Sequence, residues 1–94
     1  MKKCLHFKIE VSGKVQGVWF RKYTQEKAEL LDIKGFVMNL PDGKVYIEAE
    51  SNDPDKLQIL LDWLHQGSPL SKVSEVKLLH KKECIGYNNF QIRK

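Results

Sequence analysis

Across nine residues near the start of this chain the hydrophobic period changes, and few folds accommodate such a change. Phe7, Ile9 and Val11 alternate with His6, Lys8 and Glu10, the period-two pattern of a strand with one buried face. Beyond "GKVQGVWFR", residues 13–21, the positions Phe20, Thr24, Ala28 and Leu31 recur at three- or four-residue spacing, as on a helix lying against a core. A strand must therefore hand over to a helix inside a segment that carries two glycines and one arginine, but no acid, thiol or histidine. Gly35 follows soon after the last helical position and reads as its stop.

The remaining elements follow by the same reasoning. "GFVMNLPDGKVYIEAE" reads as two strands joined at Pro41-Asp42-Gly43, with Val45, Ile47 and Ala49 on one face. Asp53 suits a helix N-cap and Pro54 the first helical position, after which Leu57, Leu60, Leu61 and Leu64 trace a stripe that ends at Gly67. Val76 and Leu78 place a strand between Lys72 and Lys82, and "YNNFQIR" gives a last strand with Phe90 and Ile92 inward. The order βαββαβ, with right-handed crossovers, predicts an α+β ferredoxin-like two-layer sandwich whose two helices share one face of a mostly antiparallel sheet. At 94 residues the chain supports one hydrophobic core, hence a single domain spanning 1–94, and no linker or repeat divides it. That fold hosts many unrelated activities, so function has to come from the site.

Several function classes drop out on composition and spacing. No apolar run approaches the ~20 residues of a membrane span, and "MKKCLHFKIEV" breaks its hydrophobics with charges, unlike a signal-peptide core. A cytoplasmic protein with no membrane partner is expected. Cys4 and Cys84 form no CxxC pair, so they are expected to be free structural thiols, and a disulfide requires the two ends of the chain to meet. A covalent cysteine phosphatase needs a thiolate six residues before its arginine, where Val15 precedes Arg21 and where Cys84 precedes only Phe90. His6, His65 and His80 share no ligand spacing and read as structural, so no metal is expected. "DPDKL" resembles an aspartyl-nucleophile motif, but Leu57 stands where a hydroxyl residue is needed, and the segment fits a helix start better. Neither GxxxxGK[ST] nor GxGxxG occurs. Sixteen basic residues against twelve acidic ones leave a net charge of +4, which favours an anionic partner without naming it.

The glycine-bearing segment suits such a partner. A turn between a strand and a helix exposes backbone N–H groups, and the helix start adds a favourable dipole. Arg21 supplies a fixed charge and a planar fork of donors that matches phosphate oxygens. On residues alone, a glycine turn plus one arginine is more often a plain strand-to-helix connection with a solvated charge than an anion site. Asn39 is harder to explain structurally, because asparagine is disfavoured within strands and a turn role belongs nearer Pro41-Asp42-Gly43. Trp19, Tyr23 and Tyr46 are expected to shield core edges.

"GKVQGVWFR" followed by "GFVMNLPDGKV" resembles the paired signature of the acylphosphatases, with Arg21 and Asn39 on the two positions that family uses. The resemblance extends to element order, to "GSPLSKV" after the second helix and to the closing "NNFQIR". It implies hydrolysis of the carboxyl-phosphate bond of acyl phosphates, with no metal or organic cofactor. By the resemblance, the amides of Val15, Gln16, Gly17, Val18, Trp19 and Phe20 cradle the phosphate, Arg21 clamps it, and Asn39 orients the attacking water. Inorganic phosphate or sulfate would compete for the cradle, and a monomer is expected. Ser51 stands where the family's second signature usually ends in glycine, Met38 fills a slot that is often basic, and Lys94 ends the chain where some members have tyrosine. The small residue set is chemically sufficient. A carboxylate leaving group is a weak base and needs no proton donor, and phosphoryl transfer through a loose transition state depends on positioning and charge stabilisation. Two rivals remain on the same fold: a small-anion-binding module without turnover, and an RNA-binding module. The second requires exposed aromatics on central strands, where Lys8, Glu10 and Asn39 are expected to face outward.

Overall fold

A computed structural model describes residues 3–93, and in it the alternating segment forms β1, Leu5–Lys14. Phe7, Ile9 and Val11 are buried on one face of β1, as their alternation predicts. After it come α1 (Phe20–Leu30), β2 (Lys34–Asn39), β3 (Val45–Ser51), α2 (Pro54–Gln66), β4 (Lys72–Glu83) and β5 (Phe90–Arg93). The strands form one sheet in the order β4-β1-β3-β2-β5. β1 pairs antiparallel with both β3 and β4, β2 pairs antiparallel with β3, and β5 pairs parallel with β2. The first six elements thus follow the expected ferredoxin-like order, and β5 extends the sheet past β2. The two helices cover one face, where Ile9, Val37, Val45 and Ile47 pack with Phe20 and Ala28 of α1 and with Leu57, Leu60 and Leu64 of α2.

Local departures from the sequence reading have steric causes. Gly13 belongs to β1 and pairs with Val73, so the loop starts later than the glycine suggests. Helix α1 ends before Gly35, at Leu30, and Asp32 with φ 55° turns the chain out of it. Gly35 lies inside β2 at φ 140°, because a Cβ there would collide with the carbonyl oxygen of Glu48 on the paired strand. Ser51 keeps an ordinary backbone, and its hydroxyl accepts from the amide of Asp53 at 2.9 Å, ordering the turn ahead of α2. Asp53 caps α2 as expected, accepting from Asp55 N, with Pro54 behind it. Ile92 is the exception among the expected core residues, at 39% exposed beside a buried Phe90. Lys94 lies outside the described residues.

The free-thiol expectation is overturned. Leu5 of β1 pairs with Glu83 of β4, so the next residue out on each strand faces the other, and Cys4 and Cys84 are joined in a disulfide with Cα atoms 5.6 Å apart. The bond closes a loop across a separation of 80 residues, and such links typically contribute about 2–4 kcal/mol by restricting the unfolded chain.

The sheet face opposite the helices holds a polar cluster that alternation alone does not suggest. His6 is fully buried there. Its Nδ1 is 2.7 Å from Glu50 Oε2, and its Nε2 lies 2.7 Å from Glu48 Oε1. Glu50 also accepts from the amides of Ile85, Gly86 and Tyr87, while Glu48 accepts from the hydroxyls of Tyr46 and Tyr87. The outward residues of β2 are Phe36 and Met38, paired with Glu48 and Tyr46 of β3. Asn39 alternates with Met38 and turns instead to the helix side, so its expected outward place is corrected. Phe36 is only 4% exposed, under the edge of Tyr87 and the Arg93 guanidinium at 3.8 Å from its ring centre. Phe36 is therefore covered and does not stand open for base stacking.

This cluster sets an expected acid limit. Burial by itself would raise Glu50, but hydrogen bonds from His6 and from the amides of Ile85, Tyr87 and Gly86 outweigh it and hold the carboxyl below its usual 4.5. For Glu48, burial is likewise outweighed by Tyr46 and His6. A carboxyl whose value is lower folded than unfolded contributes stability above the unfolded value and loses it as pH falls through the folded one. Denaturation midpoints should therefore decline as pH drops below about 4.5. Glu50→Ala, which removes one of the two carboxylates on a buried ring and leaves the amides of Ile85, Gly86 and Tyr87 without their acceptor, should lose about 1–3 kcal/mol at neutral pH and show a shallower acid decline. Urea denaturation at several pH values checks both.

Candidate active site

The segment between β1 and α1 is a turn held in an unusual backbone. Gly17 has φ 73° and Trp19 has φ 62°, ψ 19°, both left-handed. Glycine accepts that region freely, whereas a residue such as tryptophan carries a cost of about 1–2 kcal/mol there. Left-handed residues alternating with ordinary ones turn successive N–H groups towards one side, the arrangement that receives anions. Among the described residues, none of the backbone hydrogen bonds uses the N–H of residues 16–19 as donor. Two side chains fix the turn. Gln16 Nε2 donates to the carbonyls of Leu40 and Lys44, both at 2.8 Å, and the buried Ser68 Oγ donates to the Val18 carbonyl at 2.8 Å. The first ties the turn to the β2–β3 hairpin, the second to the connection between α2 and β4.

Two helices of the same protein begin in contrasting ways. Helix α2 is capped by the Asp53 side chain and has Asp55 in its first turn. Helix α1 starts after Trp19 with no side-chain cap and no acid in its first turn, where Arg21 and Lys22 stand instead. Positive side chains at a helix N-terminus add to the positive end of the dipole, and open amides there lack acceptors. An anion relieves both conditions.

A cleft of about 440 Å³ opens at this point, and Val15, Gly17, Trp19, Phe20, Arg21 and Asn39 line it. The structure thus brings together Arg21 from α1 and Asn39 from the end of β2, as the sequence reading expects. Gln16 and Val18 stand behind the wall as the anchors just described. Val15 and Phe20 are buried, at 1% exposed each, so their side chains serve the core. Arg21 Nη1 donates to the carbonyl of Arg93 on β5 at 3.3 Å. Among the described residues, Asn39 Oδ1 is a buried acceptor with no hydrogen-bond partner in the protein. An unsatisfied buried carbonyl oxygen is rare and calls for a water or a ligand group.

Sequence reasoning misplaced Trp19 and missed other participants. The indole is 72% exposed and borders the cleft instead of shielding a core edge. Lys22 and Ile92 also border it. Ser68 lies in the "GSPLSKV" segment, whose order was legible but whose hydrogen bond to Val18 needed the packing of α2 against the turn. Among the described residues, no group of three or more His, Cys, Asp or Glu is placed to hold a metal ion, and no helix is long and apolar enough to cross a membrane.

The chain is similar to known proteins in sequence and in fold. The sequence model of the family described as Acylphosphatase matches residues 7–92. An acylphosphatase of Hahella chejuensis is 47% identical over 72 residues, covering 77% of this chain and 76% of that protein. The acylphosphatase-1 of Gallus gallus is 42% identical over 88 residues, covering 90% and 88% respectively. The crystal structure of acylphosphatase from Bacillus subtilis superposes with a TM-score of 0.92 at 35% identity, over 96% of this chain and 99% of that one. A full-length HypF structure in its phosphate- and nucleotide-bound form superposes with a TM-score of 0.84 at 24% identity, where this chain corresponds to 12% of its length, a likeness of fold. The match from residue 7 to residue 92, and relatives aligned over most of their own length, establish that this chain belongs to the acylphosphatase family.

Proposed function

We propose that this member of the acylphosphatase family hydrolyses the carboxyl-phosphate bond of acyl phosphates with Arg21, Asn39 and the turn amides as its working groups. Asn39, whose buried Oδ1 has no partner in the protein, lines the same cleft as Arg21, and that pairing is the observation that carries the assignment. In this reading the amides of residues 15–20 and the open start of α1 receive the phosphoryl oxygens, and the Arg21 guanidinium clamps them from the side. A water donates a hydrogen bond to Asn39 Oδ1, which leaves a lone pair aimed at phosphorus. The P–O bond to the carboxylate breaks as the bond from water forms, and charge spreading over the equatorial oxygens meets the guanidinium and amides. The departing carboxylate leaves as the anion, and the proton of the water passes to a phosphoryl oxygen.

The reading includes a monomer acting on a small molecule in the cytoplasm, with no nucleic-acid or membrane partner and with inorganic phosphate or sulfate as competing anions. The Cys4–Cys84 bridge, a bond that oxidising compartments favour, is the observation that weighs against that location. A module that only binds anions would bind phosphate and turn nothing over, which the same assay detects.

Acetyl phosphate in the presence of a chelator tests the chemistry, with release of acetate and phosphate as readout. Turnover should persist without metal, and a simple alkyl phosphate, whose alkoxide needs a proton donor, should react far more slowly. Activity abolished by the chelator and restored by magnesium or zinc would refute the scheme.

Two substitutions separate the assigned roles. Arg21→Gln should weaken both phosphate inhibition and kcat, because the guanidinium contacts the phosphoryl group throughout. Asn39→Ala should lower kcat by about a hundredfold or more while phosphate inhibition stays close to the parent's, since the side chain contacts the water. Denaturation curves must show both variants folded under assay conditions. A folded Asn39→Ala protein with parental kcat would move water positioning to another group.

A further inference from the structure

We propose that the exposed side chains of Trp19 and Ile92 form a subsite for the acyl group, and that the enzyme prefers acyl phosphates whose acyl group is large and apolar, aromatic above all. The inference rests on the acyl phosphate reading above and narrows its substrate class.

Trp19 and Ile92 come from different elements, the turn before α1 and strand β5, yet both border the cleft that Arg21 and Asn39 line. They are 72% and 39% exposed, whereas the neighbouring Phe20 and Phe90 are buried at 1% and 3%. The chain therefore sinks the aromatic residue beside each of them into the core and leaves these two at the cleft. Single exposed apolar residues are ordinary, but two that meet at a polar reaction centre form an apolar wall where a substrate's leaving group must lie. Trp19 is moreover held in a left-handed backbone at φ 62°, a conformation fixed by the anchored turn around it, so its indole stands on a rigid support.

The chemistry of the substrate places its acyl group on this wall. Phosphoryl oxygens occupy the turn amides and Arg21, and the water occupies Asn39, so the acyl carbon, one bridging oxygen from phosphorus, has to project into the rest of the cleft. At about 440 Å³ the cleft greatly exceeds the share of a water, about 30 Å³, and has room for more than an acetyl group. Beyond the phosphoryl and water positions the accessible lining is Trp19, Lys22 and Ile92. An aromatic acyl group can stack on the indole and contact the isoleucine, burying apolar surface on both sides. Lys22 adds a positive rim and no demand for a polar acyl chain.

The test compares kcat/KM for benzoyl phosphate and acetyl phosphate in the parent, Trp19→Ala, Trp19→Phe and Ile92→Ala. The readout is the ratio of the two values, which cancels any general damage to the turn. The parent should favour benzoyl phosphate. Trp19→Ala should lower the ratio by about five- to tenfold, in line with loss of an aromatic contact, and Ile92→Ala by about threefold. Trp19→Phe should stay near the parent because it keeps an aromatic face. Should Trp19→Ala fail to fold, Ile92→Ala on the distant strand still decides the matter. A parent that hydrolyses both substrates, with ratios unmoved by any variant, overturns the subsite and leaves the acyl phosphate reading intact. A parent that hydrolyses neither overturns that reading and the subsite with it.

Discussion

Strand β1 is hydrogen-bonded along both of its edges, to β3 and to β4, and every other arrangement in the molecule takes its position from that pairing. Its inner face supplies Phe7, Ile9 and Val11 to the core, and its outer face supplies His6 to the carboxylate cluster. Its first residues bring Cys4 opposite Cys84, and its last residues launch the turn proposed to receive an anion. A one-residue slip against β3 would exchange the two faces, exposing Ile9 and driving Lys8 into the core. The buried polar cluster opposes the same slip, since His6 meets Glu48 and Glu50 in the observed register.

Against that rigid frame, the start of α1 is a place of deliberate imbalance. The protein caps α2 with Asp53 and leaves α1 uncapped beside Arg21 and Lys22. It also holds Trp19 in a backbone region that tryptophan seldom adopts. Each choice is locally unfavourable, and each is retained because Gln16 and Ser68 fasten the turn to two other parts of the fold. The resulting site is preorganised, with donors fixed before a ligand arrives. Local rules of helix formation fail at the proposed site, as expected when a functional site is supported by its surroundings.

How much of this was legible in the sequence depended on the range of the interaction. Val45, Ile47 and Ala49, or Leu57, Leu60 and Leu64, declare their burial through period alone, and the Asp53-Pro54 helix start declares itself through short-range capping. That Arg21 and Asn39 line one cleft follows from where their two compact motifs fall on the fold. The Cys4–Cys84 bond was not, because it depends on the register of two strands far apart in sequence. His6 reads as a surface residue of an alternating strand, and only the roof made by Tyr87 and the amides of 85–87 buries it. Ile92 alternates correctly with Gln91 but sits on an edge strand, at the border of the cleft, where the helix layer leaves it open.

The covalent ring closed by Cys4 and Cys84 leaves β5 outside it. That strand is a short edge ribbon held to β2 by parallel pairing, to α1 by Gln25 donating to the Phe90 carbonyl, and to the outer face by Arg93 over Phe36. Its fraying requires no rupture of the cross-linked body, so it forms a separate cooperative unit of low opening free energy. Yet the carbonyl that Arg21 contacts lies on that ribbon, at Arg93. In the proposed function the alignment of Arg21 thus depends on a peripheral strand, and activity is expected to fade on warming before the global melt that the disulfide postpones.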